Sequence, residues 1–310
     1  MKILITGGAG FIGSHVADAY IKEGHDVVII DNLVTGQIEF VNQKAKFYKF
    51  DIRSREAYDL IMDEKFDVIN HHAAQIDVRK STEDPKYDAE VNILGSINIL
   101  EASNKSGVKR FIFISTGGAI YGEQDYFPAD EEHPTRPISP YGIGKLTVEK
   151  YLYYYNQVFK LDYVVLRYAN VYGPRQNPHG EAGVVAIFCD KMLRGNRAVI
   201  NGDGTQTRDY VYVKDVVKAN VLALTTYKTN EIYNIGTGVE TDVNTIFKKI
   251  RDEINPNIEE FHGPPKPGEQ KRSVISFHKA EKLLGWKPEY SLDEGLKETV
   301  SFFKELYRQE

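Results

Sequence analysis

The sequence has little of what defines several large classes of protein. Its single cysteine, Cys189, allows no disulfide within the chain and no thiolate cluster around a metal. A chain this poor in cysteine is typical of a reducing compartment, so we expect a cytoplasmic protein. No apolar run is long enough to span a bilayer, and Met1 and Lys2 lead directly into an apolar strand. We therefore expect no membrane segment and no signal peptide.

Basic charge is also scarce. The formal net charge is −5 at pH 7, which argues against nucleic acid or an anionic membrane as a partner and favours a small molecule. His71 and His72 are the residues that suggest a metal, but neighbours on a strand point to opposite faces. We therefore predict no metal site, no nucleic-acid partner and no membrane partner.

The first half of the chain alternates short apolar stretches with longer helical patterns. This order predicts βαβ units and a Rossmann-type, doubly wound α/β fold with a parallel sheet. The predicted strands are Lys2–Thr6, Asp26–Ile30, 46–50, 67–70, 110–114 and 163–167. The predicted helices follow Gly13 and Ser54 and span 85–105 and 140–159. Polar or flexible residues follow each strand, at the sheet edge where such folds bind ligands.

At 310 residues the chain exceeds the size at which one hydrophobic core usually stops growing. We predict a dinucleotide-binding domain at residues 1–168 and a smaller, mainly C-terminal α/β substrate domain at 169–205 and 239–310. The change to Gly- and Pro-rich loops after Asn170 sets this boundary. The segment from about 206 to 238 has strand and helix patterns that are compatible with a return to the first domain.

A glycine-rich turn follows the first predicted strand. It contains Gly7, Gly8, Gly10 and Gly13 and leads into a helix. Glycines at such spacing allow a sharp turn, close approach of a pyrophosphate, and tight packing of the helix whose N-terminus binds phosphate. Asp31 follows the second strand, where a carboxylate accepts hydrogen bonds from an adenosine ribose. Together these features predict a dinucleotide site.

The residues after Asp31 favour NAD over NADP. A carboxylate repels a 2′-phosphate, and Asn32 and Leu33 bring no arginine to accommodate one. Asp51 and Ile52, after the third strand, have two interpretations. They flank the adenine, or Asp51 is an ordinary acidic residue before a helix.

Tyr141 and Lys145 form a candidate catalytic pair. Residues four apart share a helix face, so the two side chains lie together if the helix begins near Pro140. A phenol has a pKa of about 10 in model compounds, and a neighbouring ammonium is expected to lower it. The pair follows Ser115 and Thr116 of the fifth strand, so hydroxyl, phenol and amine converge.

With these motifs the chain resembles the extended short-chain dehydrogenase/reductase superfamily and, within it, the UDP-glucose 4-epimerase family. The resemblance covers nearly the whole chain and is carried by residues 6–13, 31–33, 72–75, 121–122, 139–145, 166–175 and 202–210. It implies that Tyr141 removes the proton of a sugar 4-hydroxyl while hydride leaves C4 and returns to the other face of a rotated 4-keto sugar. It also implies tightly bound NAD that is regenerated in each turnover, and a homodimer.

The motifs and the resemblance together give a full set of expected contacts. Those for NAD are Gly7, Gly10, Phe11, Ile12, Gly13, Asp31, Asn32, Leu33, Thr35, Gly36, Asp51, Ile52, Ala73, Ala74, Gln75, Asn92, Ser115, Tyr141, Lys145 and Tyr168. Those for the UDP-sugar are Thr116, Tyr141, Asn170, Gly183, Val184, Val199, Asn201, Arg208, Lys266, Glu269 and Ser273. The expected catalytic residues are Tyr141, Lys145 and Thr116.

The chain departs from the family pattern near the sugar. Counting back from the Tyr-Gly pair places the usual hydroxyl at Gly117, whereas counting from the strand places it at Thr116, with Ser115 as the alternative. Nucleotide-sugar 4,6-dehydratases carry an Asp-Glu pair after this hydroxyl, and this chain has Gly117 and Gly118. Because elimination needs an acid and a base, these glycines favour an epimerase over a dehydratase.

Two further departures concern the range of substrates. Lys266 stands where the family often has a phosphate-binding arginine. Ser273 stands where some members have a bulky tyrosine, so a pocket with room for an N-acetyl group is our hypothesis. The alternatives that remain are a nucleotide-sugar 4,6-dehydratase, another UDP-sugar epimerase such as a UDP-glucuronate 4-epimerase, and a NAD-binding sensor without activity.

Overall fold

The computed structural model describes residues 1–179, 183–266 and 270–308. The strands along the chain are β1 Lys2–Thr6, β2 Asp26–Ile30, β3 Lys46–Tyr48, β4 Val68–His71, β5 Arg110–Thr116, β6 Asp162–Tyr168, β7 Asn170–Tyr172, β8 Val199–Asn201, β9 Thr207–Tyr212, β10 Glu231–Ile235, β11 Glu240–Asp242, β12 Phe261–Gly263 and β13 Arg272–Ser273. The α-helices are α1 Phe11–Lys22, α2 Arg55–Glu64, α3 Val78–Glu83, α4 Pro85–Ala89, α5 Ser96–Ser106, α6 Pro140–Phe159, α7 Val184–Leu193, α8 Val213–Thr225, α9 Val243–Ile254 and α10 Leu292–Arg308. Shorter helical turns are Ile38–Phe40, Glu90–Gly95 and Ala280–Leu284.

Within the described residues, the largest sheet has seven strands in the order β10-β6-β5-β4-β1-β2-β3. Every pair in this sheet is parallel. The chain builds outward on one side of β1 through β2 and β3, and on the other side through β4, β5 and β6. This is the doubly wound arrangement, which leaves a crevice beside β1 where the order reverses. The predicted Rossmann-type fold is confirmed.

Helices cover both faces of the seven-stranded sheet, which explains its nearly continuous apolar strands. On one face, α1 and α8 contribute Tyr20 and Ala219 to a core that includes Ile3 and Ile5 of β1. On the other face, the core contains residues of α2, α5 and α6 together with Leu4. The alternation along β1 therefore divides its side chains between two cores.

A smaller layer of helices and strands follows β6. β9 pairs in parallel with β7 and β13 and antiparallel with β11, while β8 and β12 form a separate parallel pair. Helices α7, α9 and α10 pack together around the buried rings of Phe188, Phe247 and Phe303. Between β9 and β11 the chain returns to the large sheet, because β10 pairs with β6. In the described part of the chain, no helix is both long enough and apolar enough to cross a membrane.

Several observed boundaries differ from the predicted ones near the ligand edge. β5 and β6 extend to Thr116 and Tyr168, so both residues belong to the strands. The helix predicted after Gly13 begins earlier, at Phe11, inside the glycine turn. The helix predicted over 85–105 is interrupted by the π-helical turn Glu90–Gly95, because α4 and α5 do not follow one another in α-helical register. Residues 85–106 are nevertheless helical throughout, so the predicted helix is confirmed, with a wider turn that the prediction did not include.

Candidate active site

The turn between β1 and α1 approaches the exit of β4 closely. Gly7 has a φ of 71°, and a Cβ at this position would lie 2.7 Å from the backbone nitrogen of Ala73. No side chain caps the N-terminus of α1, because its N-cap residue is Gly10. Phe11 and Ile12 open the helix and are half-buried. The turn therefore offers bare backbone and an uncapped helix N-terminus to a phosphate group.

Asp31 closes the next loop over this turn. Its Oδ1 accepts a hydrogen bond from the Leu33 nitrogen (2.8 Å) and its Oδ2 accepts one from the Ala9 nitrogen (3.1 Å). A Cβ at Gly36 would lie 2.8 Å from Oδ1 of Asp31, while the neighbouring Thr35 is exposed. Burial raises the pKa of Asp31, and these backbone hydrogen bonds oppose the effect. The carboxylate is thus fixed in place beside the glycine turn.

The Asp51 carboxylate is hydrogen bonded to the side chains of Arg53 and Asn32. Arg53 donates to its two oxygens through Nε and Nη2 (both 2.9 Å), and Asn32 donates to Oδ2 (3.0 Å). The Arg53 hydrogen bond lowers the pKa of Asp51 to about 2. Ile52 is only 5% exposed and belongs to the core beneath α2 and α5. Asp51 therefore holds the Asn32 side chain at the edge of the Asp31 loop.

Gln75 and Asn92 are far apart in sequence, and the fold brings them together. The Gln75 nitrogen donates to Oδ1 of Asn92 (2.8 Å), and Nδ2 of Asn92 donates to the Gln75 carbonyl (2.9 Å). Ala73 and Ala74 precede them as half-buried residues, and the Ala73 nitrogen donates to Oγ1 of Thr6. These predicted cofactor contacts form one wall at the end of β4.

Ser115 and Thr116 end β5 with different surroundings. Ser115 is 3% exposed, and its hydroxyl donates to Oε1 of Glu149 (2.7 Å). Thr116 is half-buried, and its Oγ1 accepts a hydrogen bond from the Ala119 nitrogen (3.2 Å). Of these two hydroxyls, the Thr116 hydroxyl is the more accessible from the sheet edge.

Lys145 lies beneath this edge on α6. The helix begins at Pro140, where the Ser139 hydroxyl accepts the Gly142 nitrogen as an N-cap. Nζ of Lys145 donates to the Ile114 carbonyl (2.9 Å) and lies 5.9 Å from the centre of the Tyr141 ring. Burial lowers the pKa of Lys145 to about 8, and the charges of Asp88 and Glu149 oppose this effect. A buried amine and a half-buried phenol thus lie together, as the spacing predicted.

Tyr168 ends β6 next to this group. Its side chain is 4% exposed, and its hydroxyl accepts a hydrogen bond from Nδ2 of Asn220 on α8 (2.6 Å). Burial raises the pKa of this phenol well above its usual value. The Tyr168 hydroxyl is therefore directed into the core beneath α8.

His71, which is buried, ends β4, and His72, which is half-buried, directly follows it. Nδ1 of His71 lies 2.7 Å from Oγ1 of Thr6, and its Nε2 lies 2.9 Å from Oγ of Ser96. Burial lowers the pKa of His72 to about 3. Among the described side chains, no group of three or more His, Cys, Asp and Glu residues is arranged to hold a metal ion.

The mixed sheet, formed by β7, β9, β11 and β13, carries three of the predicted substrate residues. Ser273 of β13 is the register partner of Arg208 on β9, and Asn170 of β7 is the register partner of Tyr210, also on β9. A Cβ at Gly118 would lie 3.6 Å from Oδ1 of Asn170 and 3.8 Å from Oγ1 of Thr116. The mixed sheet thus approaches the end of β5. Ser273 itself is only 3% exposed.

The remaining predicted substrate residues lie on other elements. Gly183 is the N-cap residue of α7 and Val184 is its first residue. Val199 and Asn201 are the end residues of β8, which pairs with β12. Lys266 follows β12 and is exposed. Glu269 lies outside the described residues.

A buried charge pair beneath the site was missed in the sequence. Nη2 of Arg167 lies 2.6 Å from Oε2 of Glu149, and its Nη1 donates to the Tyr121 hydroxyl (2.9 Å). Because Glu149 also accepts from Ser115, this pair fixes the end of β5 against α6 and β6. One signal was available, since Glu149 stands four residues after Lys145 on the same helix face.

A second missed contact joins the two layers of the molecule. Nη1 of Arg175, in the loop after β7, donates to the Ser14 hydroxyl on α1 (3.2 Å) and lies 2.8 Å from Oδ2 of Asp18. Its guanidinium lies over the Phe40 ring at 5.7 Å. The loop that leads toward Gly183 is thereby attached to the helix that follows the glycine turn.

Comparison with known proteins identifies the family. Residues 3–236 match the model of the NAD dependent epimerase/dehydratase family. The chain belongs to this family, which confirms the predicted relationship and the predicted cofactor, NAD.

Individual relatives match over nearly the whole chain. A UDP-glucose 4-epimerase of Mycolicibacterium smegmatis is 43% identical over 310 residues, covering 98% of this chain and 99% of the relative. A crystal structure of UDP-glucose 4-epimerase from Thermotoga maritima with UDP-glucose has a TM-score of 0.97 and 50% identity, covering 99% of this chain and 100% of that one. The UDP-glucose 4-epimerase of Thermus thermophilus in complex with NAD has a TM-score of 0.92 and 43% identity, covering 98% and 99%.

The residues present fit a dinucleotide. Gly7 leaves no space for a Cβ, the N-terminus of α1 has no side-chain cap, and the Asp31 carboxylate is fixed beside both. Nε2 of His72 is buried and has no hydrogen-bond partner among the described residues. A buried polar atom without a partner is costly, so its position favours a bound polar ligand.

Proposed function

We propose that this protein is a UDP-glucose 4-epimerase, which inverts C4 of a UDP-hexose while NAD remains bound. The observation that carries the proposal is the position of Lys145, whose Nζ lies 5.9 Å from the Tyr141 ring centre and donates to the Ile114 carbonyl of the strand that ends at Thr116. This site lies at the same edge of the sheet as the glycine turn. The proposal is supported by the UDP-glucose 4-epimerases that resemble this chain over almost its full length.

Tyr141 has the role of base and acid in this proposal. Its phenolate removes the proton from the sugar 4-hydroxyl and returns it to the 4-oxygen after the 4-keto sugar has rotated in the site. The Lys145 ammonium, 5.9 Å from the ring centre, favours the charged form of the phenol. When bound, NAD supplies the reversible acceptance of hydride from C4.

Thr116 is the proposed hydroxyl partner of the sugar 4-oxygen. Ser115 is less suited to this role, because its hydroxyl already donates to Glu149 and is buried. The glycines that follow Thr116 provide no carboxylate for the elimination that a 4,6-dehydratase performs. The local chemistry therefore favours epimerisation.

The proposed nucleotide-sugar site extends from this point across the smaller layer. Residues 1–168 and β10 hold the cofactor in this proposal, and the smaller layer holds UDP. Arg208 supplies a planar donor fork to the diphosphate, and Lys266 adds a point charge. The other proposed contacts are Asn170, Gly183, Val184, Val199, Asn201, Glu269 and Ser273. An N-acetyl group beside Ser273 remains a hypothesis about substrate range.

We also propose a cytoplasmic homodimer. The exposed face of α6 carries large apolar side chains, with Tyr153 58% exposed, Val158 55% and Phe159 47%. Leu94, on the neighbouring π-helical turn, is 59% exposed. Burial of such a face against a second copy is favourable. The single cysteine supports a reducing compartment.

Replacing Tyr141 by Phe tests the chemistry. The variant keeps the ring and loses the acidic proton, so kcat for UDP-galactose should fall by about 10²- to 10⁴-fold, the usual contribution of general acid–base catalysis. Bound NAD, measured after denaturation, should remain at the wild-type level. Tyr227→Phe is the control, because Tyr227 is 85% exposed. A Tyr141→Phe variant with wild-type turnover would refute the proposed role.

A further inference from the structure

We infer that Asp88 is a positioning residue of the proposed active site, which fixes the carboxamides of Gln75 and Asn92 and supplies the negative charge that keeps Lys145 protonated. The inference rests on the proposed function for its meaning in catalysis. Its physical basis is a buried carboxylate on α4 that the chemistry described above does not use. Neither the family resemblance nor the predicted contacts assigned it a role.

The carboxylate is held by two amide side chains. Asp88 is 1% exposed, and its Oδ1 accepts hydrogen bonds from Nε2 of Gln75 and Nδ2 of Asn92, both at 2.9 Å. Gln75 and Asn92 are also hydrogen bonded to each other through the Gln75 backbone. Asp88 therefore orients both carboxamides of the wall proposed to line the cofactor.

The other oxygen of Asp88 faces the helix that carries Lys145. A Cβ at Gly144 would lie 3.5 Å from Oδ2 of Asp88 and 3.4 Å from Cβ of Asn92. A longer side chain at Gly144 would fill the space between the carboxylate and α6. Because Gly144 directly precedes Lys145, the missing side chain lets a negative charge approach this turn of the helix.

Several charged or titratable groups surround Lys145. They are Asp88 on α4, Glu149 and Tyr141 on α6, His71 at the end of β4 and His72 directly after it. Burial lowers the pKa of both histidines, so they are neutral near pH 7. Glu149 forms an ion pair with the Arg167 guanidinium, so the positive charge of Arg167 offsets its negative charge. The donors to Asp88 are two neutral amides, so its charge acts on Lys145 with less cancellation.

The charges of Asp88 and Lys145 support each other. Burial raises the pKa of Asp88, and the Gln75 hydrogen bond, the charge of Lys145 and the Asn92 hydrogen bond oppose this. Burial lowers the pKa of Lys145 to about 8, and Asp88 is the larger of the two opposing charges. Removing the charge of Asp88 should therefore lower the pKa of Lys145 further, so that Lys145 loses its proton at lower pH.

Asp88→Asn isolates this charge, because the new side chain keeps an acceptor at Oδ1 for both donors. The fraction of Lys145 acetylated by a trace of acetic anhydride, mapped by mass spectrometry against pH, gives the midpoint of its titration without any sugar. We expect the midpoint to fall by at least about 0.5 pH units, a modest shift for loss of a nearby charge. In turnover of UDP-galactose, the alkaline loss of kcat should begin at correspondingly lower pH, because the ammonium is lost earlier.

Asp190→Asn is the matched control. Asp190 is 3% exposed, and its Oδ1 accepts from Nε of Arg194 (2.9 Å) and the Tyr307 hydroxyl (2.7 Å), on α7 of the smaller layer. This control should leave the Lys145 midpoint at the wild-type value. Gln75→Ala separates position from charge, since it should weaken NAD retention without moving the midpoint.

An unchanged Lys145 midpoint in folded Asp88→Asn would overturn the inference. If that variant does not fold, Asp88→Ser removes the charge and keeps a hydroxyl acceptor, and the same two outcomes apply. The acetylation midpoint needs no substrate. A shifted midpoint in a protein that does not act on UDP-sugars would therefore support the electrostatic inference and refute the proposed function.

Discussion

The cofactor half and the substrate half of the proposed site are constructed differently. In the cofactor half, Asp31 is bonded to backbone amides, and Gln75 and Asn92 are bonded to each other. In the substrate half, Asn170 and Lys266 are exposed, and the proposed contacts are spread over several separate elements. The first half is therefore preformed for a ligand that stays bound. We expect the second half to become ordered around a ligand that leaves in each turnover.

The strongest way to break the cofactor half alone is Gly7→Ala. The added Cβ would meet the Ala73 nitrogen at 2.7 Å, and the φ of 71° is unfavourable for alanine by about 1–2 kcal/mol. We expect at least about a tenfold loss of NAD retained through purification, since a tenfold change corresponds to about 1.4 kcal/mol.

Gly24→Ala is the control for backbone strain in that experiment. Gly24 has a φ of 82°, and a Cβ there has nothing within 4 Å. It should lower stability and leave NAD content unchanged. Equal NAD loss in both variants would contradict the close approach of Gly7 to β4 as the cause.

The next test breaks the substrate half. Arg208→Ala removes a donor fork, and hydrogen bonds to charged groups contribute about 1.5–3 kcal/mol. KM for UDP-galactose should rise by about 10- to 100-fold, while bound NAD remains at the wild-type level. Arg272→Ala is the control on the adjacent strand, where Arg272 is paired with Glu240. Loss of NAD together with substrate affinity would contradict the separation of the two halves.

The smallest expected effect concerns the contact that joins the halves. Arg175→Ala removes the partly exposed ion pair with Asp18 and a hydrogen bond to Ser14, whose buried hydroxyl keeps its bond to the Phe11 carbonyl. The stability loss should therefore be about 1 kcal/mol or less. We expect KM for UDP-galactose to rise about twofold, because the loop leading toward Gly183 loses its attachment to α1; about 0.4 kcal/mol produces such a change. Thermal melting and KM are the measurements. Arg55→Ala, which removes the exposed pair with Asp59, provides the comparison. If Arg175→Ala and Arg55→Ala have the same melting temperature and the same KM, the Arg175 contact does not couple the two halves of the site.

Local sequence patterns explain which parts of the molecule could be predicted. The glycine turn, Asp31 and the Tyr141–Lys145 spacing each depend on neighbours in one segment, and the structure brings these residues to one sheet edge. The contacts of Arg175 with Asp18 and of Arg167 with Glu149 depend on how distant segments pack. Asp88 acquires its environment from three segments that meet only in the folded chain.

The π-helical turn illustrates a different limit. The sequence pattern predicted a helix over residues 85–105, and the helix forms, but Glu90–Gly95 within it adopts the wider turn. Asn92 within this turn bonds both Gln75 and Asp88. Tertiary hydrogen bonds of this kind stabilise the π-helical turn, but they leave no signature in the periodicity of the helix itself.

The central claim is that C4 loses and regains the same hydrogen within one closed site. The most direct measurement incubates the purified protein, without added NAD, with UDP-galactose carrying deuterium at C4, and follows the sugar by NMR. The account predicts UDP-glucose that retains deuterium at C4. Absence of UDP-glucose, or UDP-glucose that carries solvent hydrogen at C4, would contradict it.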